Sequence, residues 1–144
     1  ELDWAAWKDA IAVNLLGTVF PTRAALPAMK RQGRGKIINL SGGGATKPLP
    51  HLSAYAASKA AVVRFTETVA LEVKDWHIDI NAVAPGEIET AMIGPEYEAL
   101  IPRIPMGRMG TTDEVAGVVF QLCGTDFGYV TGTEIFLTGG QHLF

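Results

Sequence analysis

The feature that most limits the folds open to this chain is an alternation. A short β-branched run, Lys36-Ile37-Ile38-Asn39-Leu40-Ser41, leads into Gly42-Gly43-Gly44; a long helical stretch follows over residues 53–74; a second apolar run occupies residues 78–84 and stops at Pro85-Gly86. The two runs are strand-length and bounded by turn residues. The stretch between them repeats Ala61, Phe65, Val69 and Val73 at the four-residue spacing of one helix face. Strands that are almost wholly apolar leave no face for water, so the pattern predicts a parallel sheet covered by helices on both sides, an α/β fold.

The flanking segments fit that plan. Asp3 is a good N-cap before Trp4, and Trp4, Trp7, Ile11 and Leu15 form one apolar stripe at helical spacing. Pattern alone stops this first helix near Phe20, because Pro21 lacks a backbone donor and disfavours helix in the residue before it. Gly33, Arg34 and Gly35 read as a C-cap and turn, and Lys47-Pro48-Leu49-Pro50-His51 as a loop. The many prolines and glycines of residues 91–110 predict a loop with at most one short helix, near residues 96–101. Thr112 or Asp113 then caps a helix running to about Cys123, and Glu134–Leu137 forms a last strand before Gly139-Gly140.

Chemistry enters at Ser53-Ala54-Tyr55-Ala56-Ala57-Ser58-Lys59. Residues four apart on a helix share a face, so the phenol of Tyr55 and the ammonium of Lys59 project into the same space. A free phenol has a pKa near ~10. A cation held beside it favours the phenolate and is expected to bring it toward the range in which Tyr55 could give a proton to a substrate oxygen or take one away. The small residues Ala56, Ala57, Ala60 and Ala61 allow another backbone or a cofactor to come near. Tyr-x-x-x-Lys alone is a weak signal, since an amphipathic helix edge with a solvated lysine produces the same spacing.

The order of motifs is more specific. Strand, glycine turn, Tyr-x-x-x-Lys helix, strand and the Pro85-Gly86-Glu87-Ile88-Glu89-Thr90 loop resemble the short-chain dehydrogenase/reductase family, over nearly the whole chain. The resemblance implies a Rossmann-like, doubly wound parallel sheet with ligands beyond the carboxyl ends of the strands. It also extends the first helix to about Arg31, with a kink, through Leu26-Pro27-Ala28-Met29. By activity it implies an NAD- or NADP-dependent oxidoreductase that interconverts an alcohol and a carbonyl. Tyr55 would be the proton donor or acceptor. Lys59 would favour the phenolate and bind the nicotinamide ribose, and Asn14, matching the family's helix asparagine, would hold a water leading protons to Lys59. Pro85, Gly86, Ile88 and Thr90 match the family's Pro-Gly-x-Ile-x-Thr loop over the cofactor. Residues 91–110 and the end of the chain would shape the substrate pocket.

One position departs from the family. Members commonly carry Ser-Ser at the end of the first strand, the second serine thirteen before the tyrosine and bonded to the substrate oxygen. Here Ser41 is fourteen before Tyr55 and Gly42 holds the expected place. Successive residues at a strand end face opposite ways. Ser41 therefore either swings inward on the flexible glycines to serve the site, or satisfies a backbone group at the turn; Ser53 and Thr46 are the next candidates for the missing hydroxyl.

The 144 residues predict one domain over 1–144, the carboxyl-terminal part of such an enzyme. The glycine-rich pyrophosphate cradle and the preceding strands are expected upstream of Glu1, so this chain alone is expected to be inactive and to leave the strand at 36–41 as an exposed edge. A net charge of −3 gives no footprint for nucleic acid, and no apolar run approaches a membrane span. The single Cys123 rules out an internal disulfide and fits a reducing cytoplasm, and His51, His77 and His142 lack metal-ligand spacing. A homodimer or homotetramer is implied by the family. Two other readings stay open: a non-catalytic relative or fragment that oligomerises, and an epimerase or dehydratase of the extended branch of the superfamily.

Overall fold

A computed structural model describes residues 3–43, 47–91 and 94–143. Helical structure runs without a break from Trp4 to Gln32, as α1 (Trp4–Ile11), a π-helical stretch (Ala12–Leu16) and α2 (Gly17–Gln32). Asp3 caps it, its carboxylate accepting from the Ala5 and Ala6 amides, and Gly33 ends it at φ 65, the left-handed conformation glycine adopts without strain. Both Pro21 and Pro27 lie inside α2. The stop near Phe20 drawn from Pro21 is therefore overturned, and the extension to about Arg31 implied by the family resemblance is met, the helix ending at Gln32. The irregular hydrogen bonding lies instead one turn earlier, where the Gly17 amide reaches back to the Ala12 carbonyl.

The sheet is three-stranded and parallel, in the order β1 (Gly35–Leu40), β2 (Ile78–Pro85), β3 (Glu134–Leu137), with Ile37 opposite Ile80 and Val83 opposite Ile135. Between β1 and β2 runs α3 (Ser53–Val73), and α4 (Thr112–Cys123) precedes β3. Val69, Ala70 and Val73 of α3 pack with Ile78 and Ile80 of β2, and Leu26, Met29, Ile37 and Phe65 close around them, so α2 and α3 share one sheet face. Lys36, the neighbour of Ile37, faces the other side, where its ammonium bonds the Phe127 carbonyl just beyond α4 (3.2 Å) and pairs with Asp79 (2.8 Å). Helices thus cover both faces, as the apolar strands required. Among the described residues β1 pairs only with β2, and its other edge is open.

Two local expectations are corrected. The buried ridge of α3 is Ser58, Val62, Thr66, Val69 and Val73, with Ala61 and Phe65 at its margin. Polar residues enter the core because their hydroxyls are satisfied on the helix itself: Ser58 donates to the Tyr55 carbonyl (2.7 Å) and Thr66 to the Val62 carbonyl (2.8 Å), and Thr66 also accepts from Asn39 of β1 (2.8 Å). At α4 the cap is Thr111, not Thr112 or Asp113. Its hydroxyl accepts from the Glu114 amide (3.2 Å) while the Glu114 carboxylate accepts from the Thr111 amide (2.8 Å), a capping box that only Thr111 can make because the glutamate must stand three residues on. The short helix expected near 96–101 is a 3-10 helix, Pro95–Arg103.

Candidate active site

Tyr55 and Lys59 lie in the first turns of α3, beside the carboxyl end of β1, and both are half-buried. The Lys59 ammonium stands 5.9 Å from the centroid of the Tyr55 ring and donates to the Leu40 carbonyl at the end of β1 (3.0 Å). One strand end and one helix start therefore hold the pair together. The expected lowering of the phenol is not what the environment produces. Burial, and next the carboxylate of Glu87, push the Tyr55 hydroxyl above its ordinary value, while burial pulls the Lys59 ammonium below its own. Both influences favour the protonated phenol over the phenolate. Glu87 is not among the residues that the sequence singles out; its signal is its place directly after Pro85-Gly86, at the end of β2.

Ser41 does not face Tyr55. It is buried, its hydroxyl donor shared between the Val83 carbonyl (3.1 Å) and a Glu134 carboxylate oxygen (2.5 Å) across β2. These bonds are of the kind expected of a serine that satisfies groups within the sheet. Position 42 is the one turned toward the phenol: a β-carbon built on Gly42 would stand 2.8 Å from Tyr55 Oη and 4.0 Å from the Pro85 carbonyl oxygen. Ser53 is also engaged elsewhere, its hydroxyl accepting from the Trp7 indole (3.2 Å). Thr46 lies outside the described residues. Among the described residues, then, no serine or threonine hydroxyl stands beside Tyr55 in the place the family serine takes.

Asn14 sits in the π-helical stretch. Its side-chain amide donates to the Ala10 carbonyl (3.0 Å) and its own main-chain carbonyl accepts from the Thr18 hydroxyl (2.9 Å). It comes together with Lys59 as a wall of one groove of about 460 Å³ that runs along the open edge of β1, with Gly17, Thr18 and Leu40 among its other walls.

The loop after β2 is pinned. Pro85 has no amide to continue the ladder, and the Gly86 amide instead bonds the Leu137 carbonyl (3.0 Å). Gly86 is glycine because a β-carbon there would meet the Thr138 backbone at 3.0 Å. Beyond it, Gly110 N–H donates to the Glu87 carbonyl (3.0 Å) and Glu89 N–H to the Gly110 carbonyl (2.9 Å), a parallel bridge that holds Ile88 against Gly110. Thr90 is exposed. Glu87 and Ile88 also wall a second pocket of about 330 Å³, shared with Ile104, Met106, Met109 and His142. Part of the 91–110 segment and the end of the chain meet there, and Tyr55 is not among its walls. His142 is fixed by Thr138 (Oγ1 to Nδ1, 2.6 Å) and stacks on Phe136.

The chain as a whole has counterparts among known proteins. A family model described as enoyl-(acyl carrier protein) reductase matches residues 1–142. The chain is similar to the 3-oxoacyl-[acyl-carrier-protein] reductase FabG of Thermotoga maritima, 42% identical over 138 residues, which is 93% of this chain and 56% of that protein. It is also similar to the crystal structure of acetoin dehydrogenase from Enterobacter cloacae, with a TM-score of 0.90 and 36% identity over 99% of this chain and 57% of that one. The structure of ElxO with NADP bound matches with a TM-score of 0.94 and 31% identity, covering 100% of this chain and 61% of that one. The chain spans 50–58% of the length of the first curated relatives it matches. Similarity along nearly all of its residues, on the same parallel α/β architecture, establishes that the chain belongs to the short-chain dehydrogenase/reductase family.

Proposed function

We propose that the protein to which this chain belongs is an NAD- or NADP-dependent oxidoreductase that interconverts an alcohol and a carbonyl, with Tyr55 as its proton donor. The observation that carries the reading is the placement of Tyr55 and Lys59 at the carboxyl end of a parallel sheet, between the Gly42 turn and the Pro85-Gly86 loop. A nicotinamide supplies or accepts the hydride when bound. The chain's own part is the proton. In the reducing direction the Tyr55 hydroxyl gives its proton to the carbonyl oxygen as that oxygen becomes a hydroxyl, and the neighbouring Lys59 cation favours the phenolate left behind.

The residues fit a nicotinamide nucleoside. Lys59 directs one of its three donors to the Leu40 carbonyl and keeps two for the vicinal hydroxyls of a ribose. Pro85, Gly86, Ile88 and Thr90 would lie along the same ligand, and Asn14, which lines the groove with Lys59, would hold a water leading protons to Lys59. Ser41 has no part in this scheme, because its hydroxyl is committed to Val83 and Glu134.

The test uses the full-length protein with NADH and NADPH and a panel of carbonyl probes that includes diacetyl and acetoacetyl-CoA. Tyr55→Phe is expected to lower kcat by at least ~10²-fold, the scale of losing a positioned general acid, with cofactor affinity little changed. Near-full turnover by that variant sinks the assignment.

A further inference from the structure

Three observations meet at the turn after β1. Gly42 adopts φ +145, a conformation residues with a β-carbon rarely take. Tyr55 Oη occupies the space that such a carbon would need, at 2.8 Å. The turn itself is anchored, with the Ser41 amide on the Val83 carbonyl (2.9 Å) and the Ser41 hydroxyl on Val83 and Glu134. We propose that Gly42 seats Tyr55: the phenol packs directly on bare backbone, in the volume a side chain at position 42 would fill, so a β-carbon added to this turn must move the phenol from its present place.

In the simplest view of the departure from the family pattern, the turn is merely short of a serine. That view treats position 42 as empty space waiting for a hydroxyl. Here the space is filled by the phenol. A β-carbon introduced at 42 must move something, and the movable partner is Tyr55 Oη, the end of a side chain with two torsions, not a turn tied at two points to β2 and β3. Gly42 is then a positioning residue, acting through Tyr55. The charged groups facing the phenol, Lys59 on its own helix and Glu87 from the loop after β2, stay where they are, so a displaced Tyr55 chiefly loses burial.

The consequence for turnover rests on the oxidoreductase reading; the seating itself does not. In the full-length protein, three measurements are made on Gly42→Ala, Gly42→Ser, Tyr55→Phe and the Gly42→Ala/Tyr55→Phe pair. Ultraviolet titration of tyrosinate, taken as the difference from Tyr55→Phe, is expected to show the Tyr55 midpoint moving down toward the ordinary phenol value in both Gly42 variants, as burial is relieved. Thermal unfolding is expected to show Gly42→Ala costing less in the Tyr55→Phe background than in the parent, because the atom it collides with has gone. With the carbonyl probes above, Gly42→Ser is expected to lower kcat/KM by at least about tenfold, as misplacing a reacting group does. An unmoved Tyr55 titration with equal unfolding costs in the two backgrounds overturns the proposal, and so does a Gly42→Ser enzyme faster than the parent. If Tyr55→Phe turns over like the parent, the oxidoreductase reading falls, while titration and unfolding still decide the seating.

Discussion

A phenol already keeps its proton at neutral pH, and two influences push the Tyr55 hydroxyl further that way. Burial disfavours the phenolate, and the Glu87 carboxylate repels it, whereas the Lys59 charge stands off the ring and is partly engaged by the Leu40 carbonyl. Counting donors and acceptors at the same scale reassigns Ser41. A hydroxyl bonded to a main-chain carbonyl and a carboxylate inside the sheet ties β1 to β2 and β3, and has no donor left for a substrate. Ser41→Ala is therefore expected to cost roughly 1–3 kcal/mol of unfolding free energy, since it leaves a half-buried Glu134 oxygen short of its partner. It should leave kcat/KM within about threefold, because no donor to the reacting oxygen is lost. Denaturant melts and steady-state kinetics on the same preparation separate the two effects; a large fall in kcat/KM with unchanged stability would return Ser41 to the site.

At the scale of elements, the site depends on how helices begin and strands end. Pro85 stops the β2 ladder, which frees the chain to turn through Gly86 and be pinned to Gly110, one residue before the α4 cap. That cap couples three groups: Glu114 accepts from the Thr111 amide and from the two terminal guanidinium nitrogens of Arg108 (2.9 and 2.7 Å). The Arg108 guanidinium, followed by the Thr111 amide, holds the Glu114 carboxyl down at about 2. A carboxylate depressed in the folded state adds stability that is present above its unfolded value, 4.5, and is lost as pH falls through about 2. The pair is exposed and screened, so the effect is modest. Glu114→Gln, which keeps the cap but not the charge, is expected to melt below the parent at pH 7, with the gap closing between about pH 5 and pH 2. A gap independent of pH would mean that the charge contributes nothing.

At the scale of the molecule, the sheet formed by the described residues has three strands and an open edge at β1, and the first helix presents Trp4, Val13 and Phe20 to solvent beside Leu16. An unpaired strand edge next to apolar side chains is an association surface. Residues 1–144 are expected to form a dimer or larger species at tens of micromolar, burying more than ~1,000 Å² in the interface. Sedimentation as a clean monomer at that concentration would count against it.

What the sequence by itself determined was whatever depends on neighbours along the chain. The strand at Glu134–Leu137, the Asp3 cap, the long α3 and the adjacency of Tyr55 and Lys59 follow from periodicity, capping chemistry and four-residue spacing, all of which act within a turn or two. The departure at Gly42 was legible too, as a one-residue shift in the serine-to-tyrosine spacing. Only the tertiary structure decided which way that shift fell, because Ser41 finds its partner 93 residues away in Glu134, on the far side of β2. It likewise decided that Ser58 and Thr66 are core residues, and that burial and Glu87 push the phenol above its ordinary value. Each of these is set by a contact between elements, and hydrophobic pattern carries no record of where a polar side chain will find its partner.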